Sequence, residues 1–182
     1  NNFKKYINKN KQITNEDLKK IDFNCGKTYE TFNEKKVLEE YKKISFYDHQ
    51  GSHWAPHLVH KTLWNKIGGF SQEFNPGFAS DTDLNMKLWK EGVRIFKGIN
   101  KFRVYHFGSI SIRKKSNLKK NKGNRLFLIK WGISSDLFIK HYLKSNTPYN
   151  GPLLDKPIKN INFLLLLVIC KIKYFFLQMF FK

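Results

Sequence analysis

Between Trp64 and Gly92 the chain is punctuated so densely that few local structures are open to it. A short helical run, Leu63–Ile67, meets Gly68-Gly69-Phe70, and glycine enters the left-handed conformation that ends a helix at low cost. Phe74-Asn75-Pro76-Gly77-Phe78 then forces a tight turn. Ser80-Asp81-Thr82-Asp83 follows and opens a helix that carries Leu84, Leu88 and Trp89 at helical spacing and stops at Gly92. Beyond it, Val93, Ile95, Phe102, Val104 and His106 alternate with polar residues, the period of a strand. The order helix, strand, strand predicts an α/β layer, or half of one.

The flanks differ in kind. Residues 1–45 are polar and lysine-rich, with helical stretches at Asn15–Lys20 and Thr31–Lys43, and hold no catalytic constellation. Residues 111–125 form a basic loop without apolar periodicity, Phe127–Tyr142 reads as a buried helix bearing Lys130-Trp131-Gly132, and Thr147–Pro157 reads as a linker. The chain thus divides into a polar helical segment (1–45), an α/β unit (46–145), and a linker with a basic, apolar tail (146–182). With 182 residues this is one domain with appendages.

Charge is concentrated rather than spread. The net charge is +20, and within 111–182 basic residues outnumber acidic ones 15 to 2. Such a field attracts polyanions. Only four of the basic residues are arginine, the residue suited to bidentate base reading, so sequence-specific nucleic-acid binding is not expected. From Ile161 the tail is strongly apolar, with a clean run Phe163–Cys170 before Lys171 and Lys173 interrupt. That pattern predicts a helix lying in a membrane interface with lysines at headgroup level; the alternative is a helix docked on protein. Two distant cysteines, Cys25 and Cys170, exclude a disulfide scaffold.

Asp81 and Asp83 are the candidate chemistry. Ser80 as N-cap and Asp83 three residues on make a capping-box spacing that leaves Asp81 unassigned. Residues two apart on a helix point about 200° apart, so one serves a site and one the helix, or neither is catalytic. His49, His53, His57 and His60 have the spacing of a helix face, but Gly51 and Pro56 interrupt it and a metal site there is not expected. His106 ends an apolar strand before Phe107-Gly108-Ser109.

Taken together, Trp54-Ala55-Pro56, Trp64–Phe70, Phe74–Leu84 and Tyr105–Ser109 resemble the acceptor-side, C-terminal half of family-2 glycosyltransferases, enzymes of the GT-A fold. The resemblance runs from about Ser52 to Tyr142, with Ser80 standing where the family's Glu-Asp-x-Asp-Leu motif has an acid. It implies a partial GT-A-like α/β layer and transfer of a sugar, with inversion, from a nucleotide-diphosphate donor to a glycan or lipid-linked acceptor. Asp81 would be the general base, Trp54, Gly68, Gly69, Phe70 and Asp83 would form the acceptor site, and His106 would help hold a Mg²⁺ or Mn²⁺ ion. Arg113, Lys114, Lys115 and Lys130 would contact the phosphates. The family's nucleotide-binding half, with its Asp-x-Asp, has no counterpart in residues 1–45, so the chain is expected to be a fragment without turnover alone. The expected location is cytoplasmic, peripheral on an anionic membrane surface. A non-catalytic basic module binding membrane or nucleic acid is the competing class; it leaves the Gly68–Leu84 organisation unexplained.

Overall fold

In the computed structural model, the fold is organised around the helix that the glycine and proline punctuation predicts. The structure describes residues 25–26, 28–41, 47–75, 77–102, 104–107 and 120–180. Its elements are α1 (Glu34–Glu40), β1 (His49–Gln50), α2 (Lys61–Ile67), a 3-10 turn (Gln72–Phe74), α3 (Ser80–Lys90), β2 (Lys97–Gly98), α4 (Lys120–Trp131), α5 (Ser135–Leu137), which runs on as a π turn (Phe138–Tyr142), and α6 (Ile161–Phe180). The class is therefore helical with one small sheet, a two-stranded antiparallel ladder pairing His49 with Gly98 and Gln50 with Lys97.

Helix α3 is buried nearly all round: Thr82, Asp83, Leu84, Asn85, Met86, Leu88 and Trp89 are all enclosed. Burial round most of its circumference, polar residues included, marks a central helix rather than a surface one. Leu84, Met86, Leu88 and Trp89 form the core with Phe74, Phe96, Phe127, Phe138, Leu143 and Leu153. Trp89 stacks on Phe96, meets Phe138 and Tyr142 edge-on, and carries the Arg94 guanidinium 4.1 Å over its ring.

Helix α2 ends as its glycines require, with Gly68 left-handed at φ 69° and Gly69 at φ 57°. The Gly68 and Gly69 amides donate to Asn65 and Trp64 carbonyls, and the Lys87 ammonium, from α3, donates to the carbonyls of Ile67 and Gly69. That lysine ties the end of α2 to the middle of α3. Burial holds its ammonium below the ordinary lysine value.

Several expectations change against the structure. The alternating stretch 93–106 pairs only at Lys97–Gly98; Ile95, Ile99, Phe102 and Val104 are exposed, and among the described residues no strand lies beside them. A strand needs a neighbour for its backbone groups, and alternation alone does not supply one. The single helix expected over Phe127–Tyr142 starts earlier, at Lys120, and breaks at Gly132, φ 71°. Ser134 then caps α5, its side chain accepting from the Leu137 amide. The second N-terminal helix is shorter than expected, Glu34–Glu40, and opens at Asn33, whose side chain accepts from the Lys36 amide. The helix expected at Asn15–Lys20 lies outside the described residues.

The 147–157 stretch is irregular, as its prolines require, yet it is fastened down. Thr147 accepts from Gln50, Leu153 sits in the core and Arg94 pairs with Asp155 at 2.9 Å. Helix α6 lies against α4 and α5 through Phe163 and Cys170, which form a second cluster with Leu128 and Leu137.

Candidate active site

The loop before α3 positions Asp81. Ala79 is the N-cap and adopts a left-handed backbone, φ 65°, which costs an alanine about 1–2 kcal/mol. Ser80 is the first helical residue, and its hydroxyl turns back to donate to the Gly77 carbonyl at 2.7 Å. The capping box expected from Ser80 and Asp83 is therefore replaced: Ser80 closes the preceding turn, and Asp83 does other work.

Asp83 has no exposed surface. It accepts from the Ser71 hydroxyl at 2.6 Å and from the Trp131 indole nitrogen at 2.8 Å, and Lys130 Nζ lies 3.0 Å from it. Lys130 in turn reaches Glu73 at 2.7 Å. Burial opposes the charge on Lys130, but the hydrogen bonds to Glu73 and Asp83 outweigh it and hold the ammonium above its ordinary value. The bond from Lys130 draws the Glu73 carboxyl below its own. Two expectations are corrected here. Asp83 is not an acceptor contact, because both of its oxygens are enclosed and engaged. Lys130 is not a spare cation for phosphate, because two carboxylates neutralise it. Together they latch α4 to α3 and to the Ser71–Phe74 turn.

Asp81, two residues earlier, points elsewhere and is half-buried. Burial pushes its carboxyl above the ordinary carboxylate value, against the opposing fields of His57, His53 and His106. Beneath it Asn85, buried, donates to the Asp81 carbonyl at 2.7 Å and lies 3.5 Å from both the His53 carbonyl and His57 Nε2. His53 is buried, with Nδ1 3.0 Å from the Gly51 carbonyl and 3.2 Å from the Ser145 hydroxyl. Burial lowers the values of His53 and His57 and favours neutral rings. Asp81 is thus neither sealed in nor in open water: it sits at a partly desolvated edge facing imidazoles.

Aromatic faces stand at this edge. Trp54 is 49% exposed and packs over His53 with ring centroids 4.1 Å apart. Phe70, 44% exposed, meets Trp64 and His57 edge-on. Gly69 makes room for this packing, since a Cβ there would lie 2.6 Å from the Trp64 ring. An open groove of about 640 Å³ runs alongside, from Phe70 and Ser71 past Phe74 and Asn75 to Gly77 and Ser80. Trp89 lies in the core and the Trp131 indole is committed to Asp83, whereas Trp54 presents an exposed face.

His106 is exposed on the 104–107 segment, which is braced from behind. Tyr105 accepts from the Cys25 amide and donates to the Gly26 carbonyl, both at 2.8 Å, and Phe32 packs on Tyr105 and Phe107. The other histidines of the row disperse: His49 lies on β1, and His60 caps α2 by accepting from the Thr62 amide. Among the described residues no three His, Cys, Asp or Glu side chains are grouped to hold a metal ion. His106 and Asp81 therefore do not make a Mg²⁺ or Mn²⁺ site from these residues alone. Arg113, Lys114 and Lys115 lie outside the described residues.

Two features escape sequence reasoning. The Asp83–Lys130–Glu73 latch joins positions 47 and 57 residues apart, with no local signal. Asn85 carries the one available hint, a polar residue amid the apolar positions of a central helix.

No protein-family model, curated protein or solved structure matches the chain.

Proposed function

We propose that this chain is the acceptor-side part of a sugar transferase, a partial GT-A-like layer in which Asp81 is the general base. The observation that carries the reading is Asp81 itself: a half-buried carboxylate with a raised pKa, facing three histidines, beside the exposed rings of Trp54 and Phe70. An alcohol is a poor nucleophile near neutrality, so a positioned carboxylate must take its proton as the new bond forms. The acceptor oxygen bonds to the anomeric carbon of a nucleotide-diphosphate sugar from the face opposite the diphosphate. The bond to the diphosphate breaks, the proton passes to Asp81, and the anomeric centre inverts. Trp54 and Phe70 offer apolar faces to the acceptor sugar, and Asn85 holds the Asp81 and His53 backbone and the His57 imidazole around the base.

A divalent ion, where the resemblance calls for one, would neutralise the departing diphosphate; its ligands would come mostly from groups beyond these. The acceptor is a glycan or a lipid-linked saccharide at the cytoplasmic face of a membrane. In the enzyme that carries this chain, Asp81→Asn should lower kcat by about 10²–10⁴ with the fold retained. Turnover near the wild-type rate in that variant removes Asp81 from the role.

A further inference from the structure

Helix α6 is a 20-residue helix, long and apolar enough by length and composition to cross a membrane. Its packing points to a different use. Phe163, Leu166, Leu167, Cys170, Tyr174 and Leu177 all belong to the cluster with Leu128 and Leu137. These contacts recur over 15 residues, about 20 Å of helix, so α6 lies along the protein and is not held by one end. The Ser134 amide donates to Cys170 Sγ at mid-helix, 3.3 Å away, and the His141 ring packs on Phe163 near its start.

At about 100° per residue, the docked residues occupy an arc of roughly 100°. The opposite side, an arc of roughly 140° running from Leu164 round to Ile169, is apolar without interruption. Leu164, Leu165, Val168, Ile172, Phe175 and Met179 are all exposed on it. The polar side chains fall on the two borders between these faces. Asn162 and Lys173 mark one border, and Lys171 and Gln178 mark the other, all of them exposed.

We infer that α6 is an in-plane membrane anchor: it lies parallel to an anionic lipid surface, its outward face among the acyl chains and its two lysines at headgroup depth on either shoulder. A spanning orientation would place Lys171 and Lys173, residues 11 and 13 of the helix, near mid-bilayer, where charge is costly, and would strip α6 from its docking cluster. A symmetric second copy would bring lysine-bordered faces together. The sequence over 111–182, with 15 basic to 2 acidic residues, complements anionic headgroups instead. Lysine stems covering apolar surface while their heads stay in water suit this depth. The inference rests on the membrane part of the proposed function and is independent of Asp81.

The test is co-sedimentation of the full chain with phosphatidylcholine vesicles containing about 30% phosphatidylglycerol, against phosphatidylcholine alone. The wild type should bind the anionic vesicles, lose binding as salt rises, and be released by an alkaline wash. Ile172→Glu with Phe175→Glu should weaken binding at least about tenfold with unchanged circular dichroism, because both side chains are already solvent-exposed. Lys171→Glu with Lys173→Glu should weaken binding to anionic vesicles and leave the neutral ones unaffected. Unaltered binding of the first double variant overturns the proposal. So does resistance of the wild type to the alkaline wash, which means spanning, or a dimer that dissociates in the first double variant while the wild type ignores vesicles. In the enzyme that carries this chain, loss of vesicle binding with retained transfer to a soluble acceptor separates this anchor from the chemistry at Asp81.

Discussion

Asp81 and Asp83 show how two identical side chains, two residues apart, are given opposite tasks by their surroundings. Asp83 is enclosed and held by Ser71, Trp131 and Lys130, whereas Asp81 is half-exposed among imidazoles. Removing Asp83 strips the acceptor from the Ser71 hydroxyl and the Trp131 indole, while part-exposed Lys130 keeps Glu73, so Asp83→Ala should cost about 1–3 kcal/mol, read by urea denaturation. Asp81→Asn should do the reverse. A carboxyl whose folded pKa is raised is stabilising below its unfolded pKa and loses that contribution as pH rises through the folded value. The ionised form is therefore a burden on the fold near neutrality, and the amide should be as stable or more stable at pH 7. The histidines run the other way. His53 and His57 are held below their ordinary values by burial, so their contribution is full above about pH 6.5 and is lost as pH falls through the lowered values. Denaturation midpoints should drop on acidification from that point, and His53→Gln should flatten the drop.

At the scale of elements, the glycine pair after α2 gives a clean contrast. Both glycines are left-handed, but a Cβ on Gly68 meets nothing within 4 Å, whereas one on Gly69 meets the Trp64 ring at 2.6 Å. Gly68→Ala should cost about 1 kcal/mol for backbone alone, and Gly69→Ala clearly more, by thermal or chemical unfolding. Helix α4 has a similar close approach, since a Cβ on Gly123 would lie 2.3 Å from the Phe78 carbonyl oxygen. These elements were legible to different degrees. The turn at Gly68 and the helix from Ser80 could be read from local spacing, because caps and breakers act within a few residues. Asp83 could not be read correctly, because a cap and a buried anchor look alike until Lys130 and Trp131 arrive from 47 and 48 residues away. The strand pattern at Val93–His106 misled for a related reason: alternation describes the strand's own faces and says nothing of a neighbour.

For the whole molecule, the site edge and the anchor are built on the same frame. Helix α3 carries Asp81, the latch at Asp83 fixes α4 to it, and α6 rests on α4 and α5 through Leu128 and Leu137. The four-histidine row illustrates how tertiary structure redistributes what sequence lines up: His49 and His60 take local duties, while His53 and His57 join His106 around Asp81. Gly51 and Pro56 excluded a helix face there, but local sequence could not show which rings converge. Trp54 is the exposed tryptophan at that edge, and Trp54→Ala should raise KM for a saccharide acceptor about three- to tenfold with kcat little changed, the split expected of a binding contact. The central claim is that the Asp81 carboxylate receives the acceptor's proton. Its most direct test is the pH dependence of kcat/KM for sugar transfer in the enzyme carrying this chain. The account predicts an acid limb displaced above the ordinary carboxylate range, in keeping with the burial of Asp81, and its disappearance with most of the activity in Asp81→Asn. An unchanged acid limb and near-normal turnover in that variant would contradict it.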